Sequence, residues 1–119
     1  MKQIQLFFLA VFTLMASAVV AQERTESVKV WGNCSMCKKR IEKAAKLDGV
    51  VKADWNADTK LMTVTYDETK THLDKIQKAV AKVGHDTQKY RAETTVYEKL
   101  HACCQYEREV TKEHSGHKH

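Results

Sequence analysis

The sequence predicts an α+β fold: a ferredoxin-like β-α-β-β-α-β sandwich with two helices on one face of a four-stranded antiparallel sheet, plus a C-terminal helical extension. Three observations predict it. Short stretches alternate apolar and polar residues with the period of a half-buried strand. Two longer stretches repeat apolar residues at helical spacing. A glycine follows each helical stretch, where a left-handed cap is wanted (Gly49 and Gly84).

The elements follow in order. Ser27 to Trp31 alternates, with Val28 and Val30 on one side, and Gly32-Asn33 ends it. From Ser35 to Leu47, Cys37, Ile41, Ala44 and Ala45 share a face, while Lys38, Lys39, Arg40, Glu42 and Lys43 surround it. Val50 to Asn56 reads as a strand with Val51, Ala53 and Trp55 on one face. The turn Ala57–Lys60 leads to its hairpin partner, Leu61 to Tyr66, with Met62, Val64 and Tyr66 inward. Thr71 to Val83 carries the stripe Leu73, Ile76, Val80 and Val83, and Asp86 to Arg91 is a weak last strand. In Ala92 to Tyr106, Val96, Tyr97, Leu100, Cys103 and Cys104 keep helical spacing, so a short amphipathic helix is expected there.

The two ends differ from this middle. Met1-Lys2, the apolar run Ile4 to Met15 and the small residues through Ala21 read as a secretory signal peptide, cleaved after Ala21. An uncleaved anchor is the alternative, although the apolar run is short for a span. The organisation is then a leader (1–21), a compact domain (22–91), a helical extension with adjacent cysteines (92–106) and a flexible His-rich tail (107–119). At 119 residues the chain holds one domain, which excludes a large multidomain enzyme. Four cysteines are too sparse for a disulfide-knotted miniprotein. The net charge of +5 comes with no long basic run and no aromatic platform, so nucleic acid is not an expected partner. No second apolar run follows the leader, so no membrane insertion is expected after cleavage.

Cys34-Ser35-Met36-Cys37 stands where the first strand gives way to the first helix. Two thiols three residues apart on a tight turn converge on one ion. The partial positive charge of a helix N-terminus favours thiolate, the form that binds metal. Two thiolates with few competing oxygens suit a soft ion: Cu(I) accepts two sulfurs, whereas Zn(II) wants four ligands.

With this motif in place, residues 26–90 resemble the heavy-metal-associated domain, the family of copper chaperones, mercury-binding periplasmic proteins and N-terminal domains of metal-transporting ATPases. The strand-CxxC-helix start carries the resemblance, with Ile41-Glu42-Lys43-Ala44, Leu47-Asp48-Gly49-Val50, Val64-Thr65-Tyr66-Asp67 and Ile76 through Gly84-His85. It implies that Cys34 and Cys37 are the metal ligands. It also implies that a metal-transporting ATPase, or another metal-handling protein, is the partner. The sequence departs from the family before the first cysteine, where Trp31-Gly32-Asn33 replaces the usual Gly-Met-x. Met36 lies between the cysteines instead, and is expected to pack inward rather than approach the metal. Asn33 adds no carboxylate, which tilts the choice toward Cu(I). His85, after Gly84, is a candidate third ligand or hydrogen-bonding neighbour; the plainer reading is an exposed loop histidine.

Cys103-Cys104 has no counterpart in that pattern. On a helix the two side chains are about 100° apart, so they do not face one way, while His101 and Cys104 share a face. Cys103 and Cys104 are candidate metal ligands, as a second soft-metal site or a lid supplying thiols to the first. The alternatives are a buried pair or a disulfide. His114, His117 and His119 are candidate loose ligands in the tail.

The function expected is therefore an exported soft-metal-binding protein, most of all a periplasmic Cu(I) chaperone or scavenger, passing its ion by thiolate exchange and doing no chemistry of its own. Lys38, Lys39, Lys43 and Lys82 form a candidate basic collar for an acidic partner. The alternatives are a mercury(II) or zinc(II) protein of a resistance relay, and a thiol–disulfide oxidoreductase. Against the last, thioredoxin-like sites use a cis-proline, and this chain has no proline.

Overall fold

The computed structural model describes residues 22–109. The leader and His114, His117 and His119 lie outside the described residues. The order is β1 (Glu23–Lys29), α1 (Ser35–Ala45), β2 (Val50–Trp55), β3 (Leu61–Asp67), α2 (Leu73–Lys82), α3 (Thr94–Tyr97) and a 3-10 turn (Ala102–Cys104). No helix among the described residues is long and apolar enough to cross a membrane.

The sheet has the order β1-β3-β2, antiparallel throughout. β1 starts earlier than its apolar alternation suggests, because it pairs with β3 along its whole length, from Glu23 opposite Asp67 to Lys29 opposite Leu61. Its outer face is a hydroxyl ladder, Thr25 against Thr65 (2.9 Å) and Ser27 against Thr63 (3.0 Å). Polar pairs of this kind hold register without apolar burial. The inner face buries Val28, Met62, Val64 and Tyr66 against Ile41 and Ala45 of α1 and Ile76 and Val80 of α2. Both helices therefore cover one face, as in a ferredoxin-like fold.

Several expectations need correction. The sheet has three strands among the described residues, not four. The segment expected as the last strand makes one bridge, Thr87 to Val30, because the Thr87 and Tyr90 main chains close on each other (2.6 Å) and turn the chain away. Val51 is exposed and does not share a face with the buried Trp55: the register shifts between Val50 and Lys52, and this bulge leaves Val50 on the inner face. Residues 92–106 do not form one helix. Thr94, Thr95 and Val96 are poor helix formers, and α3 stops after a single turn. The Gln105 side-chain amide then donates to the Glu98 and Leu100 carbonyls (3.1 Å each).

What replaces that helix is a strap, residues 92–109, laid across the domain. Leu100, Cys104 and Tyr106 are buried in the main core. The Tyr106 hydroxyl donates to the Gly84 carbonyl and accepts from the Asp86 amide (2.8 Å each). Gly84 has φ +110, a conformation that L side chains rarely adopt, and a Cβ there would stand 3.0 Å from Leu100. The turn that caps α2 is thus also the seat of the strap. Arg108 grips Asp86 with two hydrogen bonds, 2.7 and 2.9 Å, and donates to the Ala92 carbonyl (2.6 Å). The expected flexible tail therefore starts too early at residue 107: Arg108 and Glu109 are tied down, the latter accepting from the Trp31 indole (3.1 Å).

Candidate metal centre

Cys34 occupies the N-cap position of α1, with extended backbone angles. Cys37, one turn on, points into the core and is fully buried. Gly32 makes room for it: a Cβ at that position would come within 3.1 Å of both the Cys37 Cβ and the Trp55 ring. Lys60 donates to the Gly32 carbonyl (2.6 Å), and the Trp55 indole donates to the Val30 carbonyl (2.8 Å), so this loop is held from both sides.

The strap delivers its thiols to the same place. Cys34 Sγ lies 3.6 Å from Cys37 Sγ, 3.5 Å from Cys104 Sγ and 3.0 Å from Cys103 Sγ. The sulfurs of Cys34, Cys37 and Cys104 all fall within 4.8 Å of one another. Cys103 stands outside that triad, exposed, 4.0 Å from Cys104. Adjacent thiols diverge by about 100° on an α-helix. In a 3-10 turn they also diverge, by about 120°, but Cys34 sits between the two directions and meets both. The structure thus brings together all four cysteines singled out in the sequence.

The electrostatics are those of one thiolate shared among thiols. A sulfur–hydrogen bond from Cys103 is the first cause drawing Cys34 down to about 6, and the Cys37 backbone acts the same way. Burial pushes Cys37 up to about 11, and it is also the first cause raising Cys104. The Arg40 guanidinium, 3.3 Å from Cys104 Sγ, opposes that rise. Such a group of soft, partly ionised sulfurs, with no carboxylate among them, is suited to a soft cation.

The remaining candidates are placed elsewhere. His85 is not an exposed loop residue: it is fully buried, its Nδ1 bonds the Trp31 carbonyl (2.9 Å), and its ring stacks on Tyr106 at 5.5 Å. It stands outside the thiol triad. Burial holds its pKa down at about 4, so the ring is neutral, and Nε2 has no partner among the described residues. His101 is exposed and serves the 3-10 turn through its carbonyl, which accepts from the Cys104 amide (2.8 Å). Met36 is 41% exposed, contrary to the expectation that it packs inward. Lys38 is no free member of a collar, since it bonds Glu42, Asp54 and the Trp55 carbonyl. Arg40, Tyr106 and Arg108 carry roles that the sequence reading missed. A signal for Arg40 was present, three residues beyond Cys37 and hence on the same side of α1.

Residues 33–86 match the heavy-metal-associated domain. The mercuric transport protein periplasmic component of Pseudomonas aeruginosa is 32% identical over 83 residues, covering 68% of this chain and 91% of that protein. The copper-exporting P-type ATPase of Staphylococcus saprophyticus is 34% identical over 70 residues; these cover 58% of this chain and only 9% of that far longer protein. The solved structure of the CopZ metallochaperone superposes with a TM-score of 0.52 at 32% identity, covering 54% of this chain and 98% of that one. Cys103 and Cys104 lie beyond the segment that matches the domain.

Proposed function

Because the chain belongs to the heavy-metal-associated domain family, we propose that it is an exported carrier of a soft metal ion, Cu(I) foremost. The ion is held by Cys34, Cys37 and Cys104 and passed on by thiolate exchange. The single observation that supports this most is the approach of three sulfurs within 4.8 Å at the start of α1. Cu(I) takes two or three thiolates and leaves room for another to join, so a partner's thiol enters before a resident one leaves. No bond to carbon is made or broken, and the protein acts as a carrier rather than an enzyme. Arg40 stands where it offsets the negative charge that three thiolates and a monovalent ion leave behind. The periplasm is the proposed location and a metal-transporting ATPase, or another metal-handling protein, the proposed partner, by analogy with the relatives.

The test is an anaerobic Cu(I) titration of the reduced protein against a chromogenic chelator. One tight ion is expected, lost in Cys34→Ser/Cys37→Ser and weakened in Cys104→Ser. Absence of a tight ion in the unaltered protein sinks the copper reading.

Mercury(II) is the second reading, favoured by the periplasmic mercuric relatives. It predicts that Hg(II) displaces Cu(I) from the same cysteines. A tetrahedral Zn(II) site requires a fourth ligand, and the zinc reading takes Cys103, 3.0 Å from Cys34 and 4.0 Å from Cys104, as that ligand. Zinc would therefore be lost equally on replacing any of the four.

A further inference from the structure

The four thiols are not equivalent. Cys37 and Cys104 have no exposed surface, Cys34 is half-buried, and Cys103 is open to solvent. Cys34 is also hemmed in, with three other sulfurs within 3.6 Å. A donor arriving with its ion on a thiolate of its own needs a sulfur it can approach closely. Neither buried cysteine offers that, and Cys34 offers little of it. Cys103 does, and from there the path inward is short: 3.0 Å to Cys34 and 4.0 Å to Cys104.

Resting on the carrier reading above, we propose that Cys103 is the exchange thiol of this protein: an incoming Cu(I) binds it first and is handed to Cys34, Cys37 and Cys104, where it stays. The strap is then more than a cover, because it presents one thiol inward as a ligand and its neighbour outward as the point of transfer. The alternation of a 3-10 turn does this with two consecutive residues.

The steps balance without any change of oxidation state. A bond forms between Cys103 sulfur and Cu(I) as the bond to the donor's sulfur breaks, and the Cys103 proton leaves on the donor's thiol. The Cys34 thiolate then binds the ion. The Cys104 thiol gives its proton to Cys103 as the copper–sulfur bond passes from one to the other. Cys37 releases its proton to solvent as it joins. Release to an acceptor is the reverse sequence.

The experiment separates rate from equilibrium, using Cu(I) presented as its glutathione complex to the reduced full chain. In Cys103→Ser the affinity for Cu(I) stays within about threefold of the unaltered protein, while the rate of loading and unloading falls by about tenfold or more. Cys104→Ser shows the opposite pattern, with weakened affinity. Because Cys103 is exposed, Cys103→Ala serves as a second variant that keeps the fold. Two results overturn the proposal: Cys103→Ser weakens affinity as much as Cys104→Ser, which makes Cys103 a resident ligand, or both Cys103 variants transfer copper at the unaltered rate. If the unaltered protein binds no Cu(I) in equilibrium titration, the carrier reading itself has failed, and the exchange role falls with it.

Discussion

Arg108 is the residue on which attachment of the strap depends most. Its guanidinium makes a two-bond grip on Asp86, with the side chains 12% and 7% exposed, and adds a bond to the Ala92 carbonyl. Arg108→Met keeps the aliphatic stem and removes all three. The Asp86 carboxylate is then left buried with one described donor, the Ala92 amide at 2.8 Å. Stranding one member of a buried pair costs about 3 to 5 kcal/mol. The lower end applies here, since that amide remains and the pair lies near the surface. A loss of about 3 kcal/mol raises the population of an opened strap roughly a hundredfold. Cys104, fully buried in the closed strap, reports that opening. With Cys34, Cys37 and Cys103 all changed to serine, a thiol reagent labels only Cys104, and its rate tracks the open fraction when closing is fast. The expected result is labelling about a hundredfold faster in Arg108→Met, partly reversed in Asp86→Asn/Arg108→Met because no buried charge is then unpaired. A change below about threefold refutes the latch, as does an Asp86→Asn/Arg108→Met protein that labels no more slowly than Arg108→Met alone.

Other consequences follow from named contacts. Tyr106→Phe strands the Asp86 amide and the Gly84 carbonyl, so urea unfolding should show a loss of about 2 kcal/mol; an unchanged midpoint counts against those bonds. His85 has a folded pKa of about 4 against an ordinary 6.5, so the unfolded chain binds its proton first. Stability therefore falls as pH drops below the ordinary value, by about 2 kcal/mol between pH 7 and 5, and levels off below the folded value. Arg40 adds to that depression and Asp86 opposes it; His85→Gln should flatten this part of the profile, and an unaltered slope contradicts the assignment. Arg40→Gln should weaken Cu(I) binding about tenfold in chelator competition with little change in stability, because its cation faces Cys104 sulfur; equal affinity removes Arg40 from the site.

The local parts of this fold were legible in the sequence, and the long-range ones were not. The stripes Cys37-Ile41-Ala45 and Ile76-Val80 and the inward set Met62, Val64 and Tyr66 read correctly because side-chain direction follows from spacing within one element. Val51 misled because a bulge shifts the period by one residue, and nothing in the local pattern marks it. The family-type pair Cys34 and Cys37 was visible as a motif. Its meeting with Cys103 and Cys104 was not, since it depends on the strap. That strap is seated by Asp86 with Arg108 and Gly84 with Tyr106, pairs 22 residues apart that share no periodicity. Helical spacing in residues 92–106 even pointed to the wrong element: Leu100, Cys104 and Tyr106 do bury, but from two short turns and a loop. His85 shows the same limit. Its residue type suggests a ligand or a surface loop, whereas the stacked Tyr106, 21 positions on, and the bond to the Trp31 carbonyl hold it in the core.

If the strap contributes a sulfur to the metal site, the Cu(I) ion has one more sulfur neighbour than the CxxC pair supplies. X-ray absorption at the copper edge of the Cu(I)-loaded protein counts those sulfurs directly. Three sulfur neighbours are expected in the unaltered protein and two in Cys104→Ser, with the Cys103→Ser spectrum unchanged. Two sulfur neighbours in the unaltered protein, the same in Cys104→Ser, would contradict the strap's contribution and leave the ion on Cys34 and Cys37 alone.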